Sequence, residues 1–398
     1  MVARAFNLPK GWPILDYTEE EKAEGLRKLQ EGLRQLFVEH NRKILEKVMS
    51  VAECQTGSLR KLASVQVVNA VEPIEGADAI ERIRVLGWWV VVNKGDYRVG
   101  DTVVYCEVDS FLPVREEFEF LRGRCFREAT SGRPAGFRVK TIRLRGQISQ
   151  GIVFPLSILP DGTGVSEGDD VTGLLGVIKF ELPDEGGYIG GNQKGNFPGF
   201  LTKTDEIRVQ NIGHLLERHR GKEFSFTEKL DGTSFTAFYR GGEFGICSRN
   251  FQLDESDESG MLAEVARRLG VREKLESFGF DVAIQGEVIG PGIQGNKYRL
   301  KERTLFVFNL IDLRTDELMP LVAAADVGFR RVPCLGRFIL DHSVDDIVEM
   351  AVGKSIVNPD VHREGIVIRP VENLYEQECG GRFSFKAINP QFLLKYDE

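Results

Sequence analysis

Long apolar runs are missing from this chain. None of its 398 residues lies in a stretch approaching the roughly 18–20 apolar residues that a membrane-crossing helix needs. The opening segment, MVARAFNLPKGWPILDYTEEE, has no compact apolar stretch followed by small residues, so no secretory signal is read from it. The six cysteines are scattered and none forms a C-x-x-C pair, which leaves neither a disulfide framework nor a zinc site. A cytoplasmic setting, reducing and without a membrane partner, is therefore expected. No G-x-x-x-x-G-K-[ST] loop and no G-x-G-x-x-G after a strand is present, so a bound nucleotide would not rest on a P-loop or a Rossmann turn. The five histidines show no ligand spacing and read as structural. Positive charge is in deficit: the net charge of −8 disfavours nucleic-acid binding by the surface as a whole.

What is present is local. The segment RGRCFREATSGRPAGFRVKTIRLRGQ (122–147) sets eight basic residues against a single acid, Glu128. Within it Arg138, Lys140, Arg143 and Arg145 lie in FRVKTIRLR, where basic and apolar residues alternate. A strand with that pattern carries its charges on one face, suited to a phosphate backbone. A solvated, salt-bridged surface is the plain alternative.

The apolar fraction of 42% and charged fraction of 28% are those of a soluble globular protein, and the length suggests two or three domains. Residues 1–59 form a helical segment. In it 18–49 reads as one long helix, with Thr18 and Glu21 as a capping box and Leu26, Leu29, Leu33, Leu36, Ile44 and Val48 as its apolar stripe. Residues 60–182 are short β-branched and aromatic strands separated by Gly, Pro and Asp, the pattern of a small barrel or sandwich. Trp88 and Trp89 are adjacent there, so one faces the core and the other is free to stack on a base. The Gly-rich stretch 183–200 reads as a linker. Residues 201–398 mix strands with helices in no regular alternation, which predicts an α+β domain of mostly antiparallel sheets with flanking helices.

One short stretch of that second domain resists a purely structural reading. TEKLDGTSF (227–235) places Lys229, Asp231, Gly232, Thr233 and Ser234 between two apolar-alternating runs. Alone it is a tight turn between two strands, with Asp231 and Gly232 making the bend. Downstream, however, follow Arg249 in CSRN, Glu287 in IQGEVIGPG, Phe306 and Phe308 in LFVFNLID, Glu364 in REGIVIRP and Lys386 in FSFKAINP. Each has a bland role as a surface ion pair, a core aromatic or a strand end. Together, mostly at strand termini, they suit one site for a polyanionic nucleotide.

In content and order these motifs resemble the covalent nucleotidyltransferases, the polynucleotide ligases and RNA capping enzymes. Within them FPGFLTKTDEIRVQN and GEVIGPGIQGNKY are most similar to the ATP-dependent RNA ligases that carry an OB-like domain at the N-terminus, the type first recognised in Deinococcus. The resemblance spans about residues 60–398 and makes 60–182 the OB-like domain and 201–398 the nucleotidyltransferase domain. DNA ligases and capping guanylyltransferases place an OB domain after the last lysine motif, and only twelve residues follow Lys386, so neither is preferred. A nucleic-acid-binding protein with a dead catalytic domain is the alternative of a different class; the intact Lys229, Arg249 and both glutamates argue against it.

The resemblance implies three phosphoryl transfers: AMP onto Lys229 from ATP, AMP onto a 5′-phosphate, and attack by a 3′-hydroxyl that seals the break. It implies Mg²⁺ or Mn²⁺ as cofactor, and as partner an RNA or RNA-containing duplex with a nick or end. Lys229 is then the nucleophile, with its pKa lowered by the metal and by Lys386. Glu287 and Arg249 hold the ribose and nearby phosphate. Phe308 stacks on adenine, with Phe306 second. Glu228 accepts from the adenine amino group, and Ser234 stands where some relatives have Asn. Glu364 binds metal together with Glu287, and Lys386 neutralises the α-phosphate. Asp231 fixes the turn, and Arg208 reaches the triphosphate or the nucleic-acid end. The chain departs from the pattern at the last motif, where Ser384 replaces the first of two lysines; Arg382 or Lys395 is expected to stand in for it.

Overall fold

The computed structural model describes residues 60–396 apart from 131–132, 161, 181–190 and 380. The helix expected over 18–49 lies outside the described residues. Among them no helix is long and apolar enough to cross a membrane.

The first domain is built on one long strand, Ala63–Pro73. Its first half pairs antiparallel with Thr102–Cys106 and its second half with Ile80–Val85, and a bulge between Val68 and Ala70 separates the two. A bulge increases local twist, so one strand can serve both ends of a curled sheet. Trp88–Asn93 and Ile152–Pro155 extend this five-stranded sheet at its edges. A smaller sheet is centred on Ser110–Pro113 and Gly136–Arg138. Alternation puts Val65, Val104 and Cys106 into one apolar cluster and Ile83, Val85 and Val90 into another. Trp88 is fully buried, as one of the two tryptophans was expected to be. Trp89 lies under two guanidinium groups, those of Arg82 and Arg84, at 4.2 and 5.1 Å from its ring centre.

The basic segment is not the single strand its alternation suggests. The Gly136–Arg138 strand ends at Arg138, and Val139 and Thr141 turn into the core. The chain then makes a separate hairpin, Ile142–Leu144 with Gln147–Ser149. Its two-residue turn is Arg145–Gly146, both with positive φ, the geometry that matches strand twist. Arg138 is thereby turned inward, 9% exposed, its guanidinium 4.4 Å from the centre of the Phe180 ring. Lys140 is half-buried, whereas Arg143 and Arg145 remain exposed.

Two large sheets, each with its own helical cover, build the second domain, beside a two-stranded ribbon of Tyr375–Glu376 and Gly381–Arg382. The larger has eight strands, with Thr233–Arg240, Val282–Ile289 and Thr304–Asp312 at its centre. Met261–Arg268 and Val271–Glu276 pack on one of its faces over Phe235, Ala237, Ile284 and Val307. The segment MLAEVARRLGVREKLESFG forms two helices rather than one, because Gly270 takes a left-handed conformation (φ 59°) that ends the first. Gln193–Asn196, inside the stretch read as a linker, is an edge strand of the same sheet.

The smaller sheet has five strands in the spatial order Ile207–Arg208, Phe385–Ile388, Gly365–Pro370, Glu223–Lys229 and Cys334–Ile339. The helix Val344–Ala351 covers it, started by a capping box of Ser343 and Asp346. Between the two sheets lies a third cluster, with Leu230, Ile289, Tyr298 and Phe306 buried in it and Phe308 packed against it.

Candidate nucleotide-binding site between two sheets

TEKLDG is not a hairpin. The strands on either side of it, Glu223–Lys229 and Thr233–Arg240, do not pair with each other; each belongs to a different sheet. The segment is the corner where the chain passes between them. Glu223–Lys229 finds its partners more than a hundred residues along the chain, which no local turn signal reports, and Thr233–Arg240 pairs with the next strand, Glu243–Cys247, and with Val282–Ile289. Every part of the corner is held. Leu230 is 3% exposed in the cluster between the sheets. The Asp231 amide donates to Tyr298 Oη at 2.8 Å, and Lys297 Nζ donates to Asp231 Oδ2 at 2.5 Å. The Gly232 amide donates to Glu287 Oε1 at 3.1 Å. A side chain at Gly232 would strike the Val288 carbonyl and the Ile289 side chain, so the close passage needs glycine.

Lys229 is the last residue of its strand and faces Gly365 across the ladder. That register brings it to Glu364, and Nζ donates to both carboxylate oxygens at 2.7 and 2.8 Å. Burial by itself lowers the amine's pKa. The carboxylates of Glu364, Glu287 and Asp231 outweigh burial and hold it above the ordinary lysine value. The expectation that surrounding charge depresses it fails for these side chains, because acids rather than cations are nearest. Glu287 shows the reciprocal effect: burial pushes it up to about 8, Lys229 opposes this, and Glu364 and Asp231 add to it.

Register also explains the opposite wall. Ser234, Glu287 and Phe306 lie in one row across three antiparallel strands, hence on one face, while Phe235 points to the helices. Next to them Phe308 is the unpaired residue of a bulge opposite Gln285 and Gly286. Phe306 is 9% exposed and Phe308 is more open. Arg369 crosses from the smaller sheet, donating to the Phe308 carbonyl at 3.0 Å, to Asn309 Oδ1 at 2.9 Å and to Glu206 at 3.1 Å. Its Nε donates to Ser384 Oγ at 3.2 Å. Arg382, in contrast, pairs with Asp316, and the Lys395 ammonium lies over Tyr396.

Glu228, beside the lysine, is 1% exposed. Its Oε2 accepts from the Ile356 amide at 2.8 Å, and its Oε1 has no hydrogen-bond partner among the described residues. Burial raises its pKa. Lys386 and Arg249 converge on one acid that sequence reasoning missed, Asp205, at 3.1 and 3.0 Å. Burial works against the Asp205 carboxylate, yet Lys386, Arg249 and Lys179 hold it below the usual range. Arg208 is 7% exposed and paired to Asp109 of the first domain at 3.3 Å, so it does not project openly into the cleft. Asp205, Lys297, Tyr298 and Arg369 carry no motif of their own; only their place in segments already singled out pointed to them.

A corner lysine gripped by a buried carboxylate, a half-buried acid behind it and an aromatic on the facing wall form the arrangement expected of a nucleotidyltransferase. The comparisons agree. The family model described as RNA ligase matches residues 222–388, and one described as an OB-fold domain matches 62–156. Among solved structures, Naegleria gruberi RNA ligase with pyrophosphate is 35% identical, with a TM-score of 0.76 over 85% of this chain and 99% of that one. A variant of the same ligase with ATP and Mn is 34% identical with the same TM-score, over 84% of this chain and 98% of that one. No curated protein matches. The chain belongs to the RNA ligase family, with an OB-fold domain ahead of the ligase domain.

Proposed function

We propose that the protein is an ATP-dependent RNA ligase that seals 3′-hydroxyl/5′-phosphate breaks, chiefly nicks in duplexes with RNA on the 3′-hydroxyl side, through a lysyl-AMP intermediate. The observation that carries this reading is the Lys229–Glu364 pair at a corner between two sheets, with Glu287 behind it. Similar structures of the Naegleria ligase hold ATP with Mn, AMP with Mn, and pyrophosphate, the reactants and products of the first step.

In this reading Lys229 Nζ attacks the α-phosphorus, an N–P bond forms, and pyrophosphate leaves. AMP then passes to a strand 5′-phosphate, and the 3′-hydroxyl displaces it. Such transfers depend on positioning and charge neutralisation more than on acid–base chemistry. Phe308 stacks on the adenine and the open oxygen of Glu228 accepts from its amino group, which favours ATP over GTP. Ser234 and Arg249 line the ribose and phosphate side with Glu287. Lys386 neutralises the α-phosphate once Asp205 shares its charge with Arg249. Arg369, held on Ser384, supplies the cation that the family pattern places at Ser384 itself.

The crowded carboxylates fit a divalent cation: burial raises the pKa of Glu287, and Glu364 and Asp231 add to it although each is paired with a lysine. Glu364 and Glu287 would hold Mg²⁺ or Mn²⁺, as oxygen ligands suit those ions. When bound, the cation supplies charge neutralisation to the phosphates and removes the field that keeps Lys229 protonated.

The test is incubation with α-labelled ATP and Mg²⁺ or Mn²⁺, followed by a denaturing gel. Label on the wild-type chain and none on Lys229→Ala is expected. Absence of label, or label that persists in the variant, overturns the mechanism. Nicks with RNA or DNA 3′ ends then test the substrate, and equal sealing of both removes the RNA preference.

A further inference from the structure

Two consecutive residues, Lys297 and Tyr298, grip the corner that carries Lys229. Tyr298 Oη takes the Asp231 amide and Lys297 Nζ takes the Asp231 carboxylate. The ion pair is well shielded, its two side chains 12% and 14% exposed. The loop that presents it is itself stapled. Asn296 Oδ1 accepts from the Leu300 amide at 3.0 Å, and its Nδ2 donates to the Leu300 carbonyl at 2.9 Å. Asn358 Nδ2 donates to the Tyr298 carbonyl at 2.9 Å.

Lys297 also meets the last helix, Pro390–Tyr396. Its ammonium lies 5.0 Å from the centre of the Phe392 ring and 4.8 Å from that of Tyr396, and the two rings are 4.6 Å apart. Aromatic faces attract a cation and so favour one placement of it. The start of this helix is anchored by Asn389, which is fully buried. The Asn389 amide donates to the Glu364 carbonyl at 2.8 Å. Its Nδ2 donates to the Arg363 carbonyl at 3.1 Å, and its Oδ1 accepts from the Gln391 amide at 2.9 Å. The helix is thus tied to the backbone of Glu364 and, through Lys297, to Asp231. Asp231 stands two residues from Lys229, and its charge reaches the Lys229 ammonium. An acid so placed competes with Glu364 for that ammonium unless another cation engages it.

We infer that Lys297 is a positioning residue for lysyl-AMP formation: by engaging Asp231 it leaves Lys229 on Glu364 and fixes the corner from which Nζ reaches the α-phosphorus, and the last helix holds Lys297 in place. This rests on the ligase reading above. Lys297 acts on the nucleophile's side of the cleft, so it governs the rate at saturating ATP rather than the ATP concentration required.

The full chain tests it with Lys297→Met, which keeps length and loses charge, and Lys297→Arg, which keeps charge. Lysyl-AMP formation is measured in single turnover across ATP concentrations. Lys297→Met is expected to lower the rate at saturating ATP about tenfold and to leave the half-saturating ATP concentration within about twofold. Lys297→Arg is expected to recover most of the rate. Tyr396→Leu keeps the ion pair and removes one ring; it is expected to lower the rate about threefold, and it carries the test if Lys297→Met does not fold. Full rate in Lys297→Met overturns the inference. So does an equally large rise in half-saturating ATP, or a Lys297→Arg chain no faster than Lys297→Met, since either marks a purely structural residue. A wild-type chain that takes no label overturns the ligase reading, whereas a labelled wild type with an unimpaired Lys297→Met overturns this inference alone.

Discussion

Lys229 and Glu287 occupy one half-buried site with opposite needs. The lysine gains from nearby acids and the glutamate suffers from burial among them, so Glu287 binds its proton up to about pH 8. In the unfolded chain the same carboxyl releases its proton in the ordinary glutamate range. Between those limits the folded state holds a proton that the unfolded state has lost. Glu287 therefore destabilises the fold progressively as pH rises through that window, and its contribution is most favourable below it. Glu287→Gln removes the effect. Its Tm is expected to rise relative to wild type from pH 5 to pH 9, with most of the change complete by about pH 8. Parallel Tm curves for the two proteins across that range would show that Glu287 does not titrate in this way.

At the scale of elements, the sheet corner at TEKLDG sets the geometry of the site. Gly232 passes so close to Val288 and Ile289 that an added methyl forces one strand to move. Lys229 sits three residues away, and a displacement of about 1 Å at a reacting group costs on the order of a hundredfold in rate. Gly232→Ala is accordingly expected to cut lysyl-AMP formation by about that factor, while Gly195→Ala, on an exposed strand with open space around it, leaves it unchanged. Equal labelling of the two variants would show that the corner tolerates the shift. This corner also marks where sequence reading stops. The alternation of apolar residues and the chain order of Glu287, Phe308, Glu364 and Lys386 are local signals, legible without knowing which strands pair. Which strands pair is a long-range property: Lys229 meets Gly365 across 136 positions of chain, so a corner between sheets reads locally as a hairpin. Likewise Arg138 alternates as a surface residue would, and the Phe180 ring and the Asp109 charge that accompany its inward turn both lie beyond its own strand.

For the whole molecule, the question is how a chain of net charge −8 holds a polyanion. Its acids and bases are not mixed evenly. Arg84 of the OB-fold domain pairs with Asp345 of the ligase domain, and Arg60 and Arg208 pair with Glu107 and Asp109, so those cations already have acid partners. The hairpin Ile142–Ser149 is different: Arg143 and Arg145 are exposed on it. Contacts from these two to phosphates release counterions and position the duplex without reading its sequence. Each lost contact lowers the slope of log affinity against log salt by about one. Arg143→Ala with Arg145→Ala is thus expected to reduce the slope for a nicked RNA duplex by about two, to weaken binding similarly for unrelated sequences, and to leave lysyl-AMP formation intact. A salt slope unchanged in the double variant would remove this hairpin from the binding surface and return the phosphate contacts to the ligase domain.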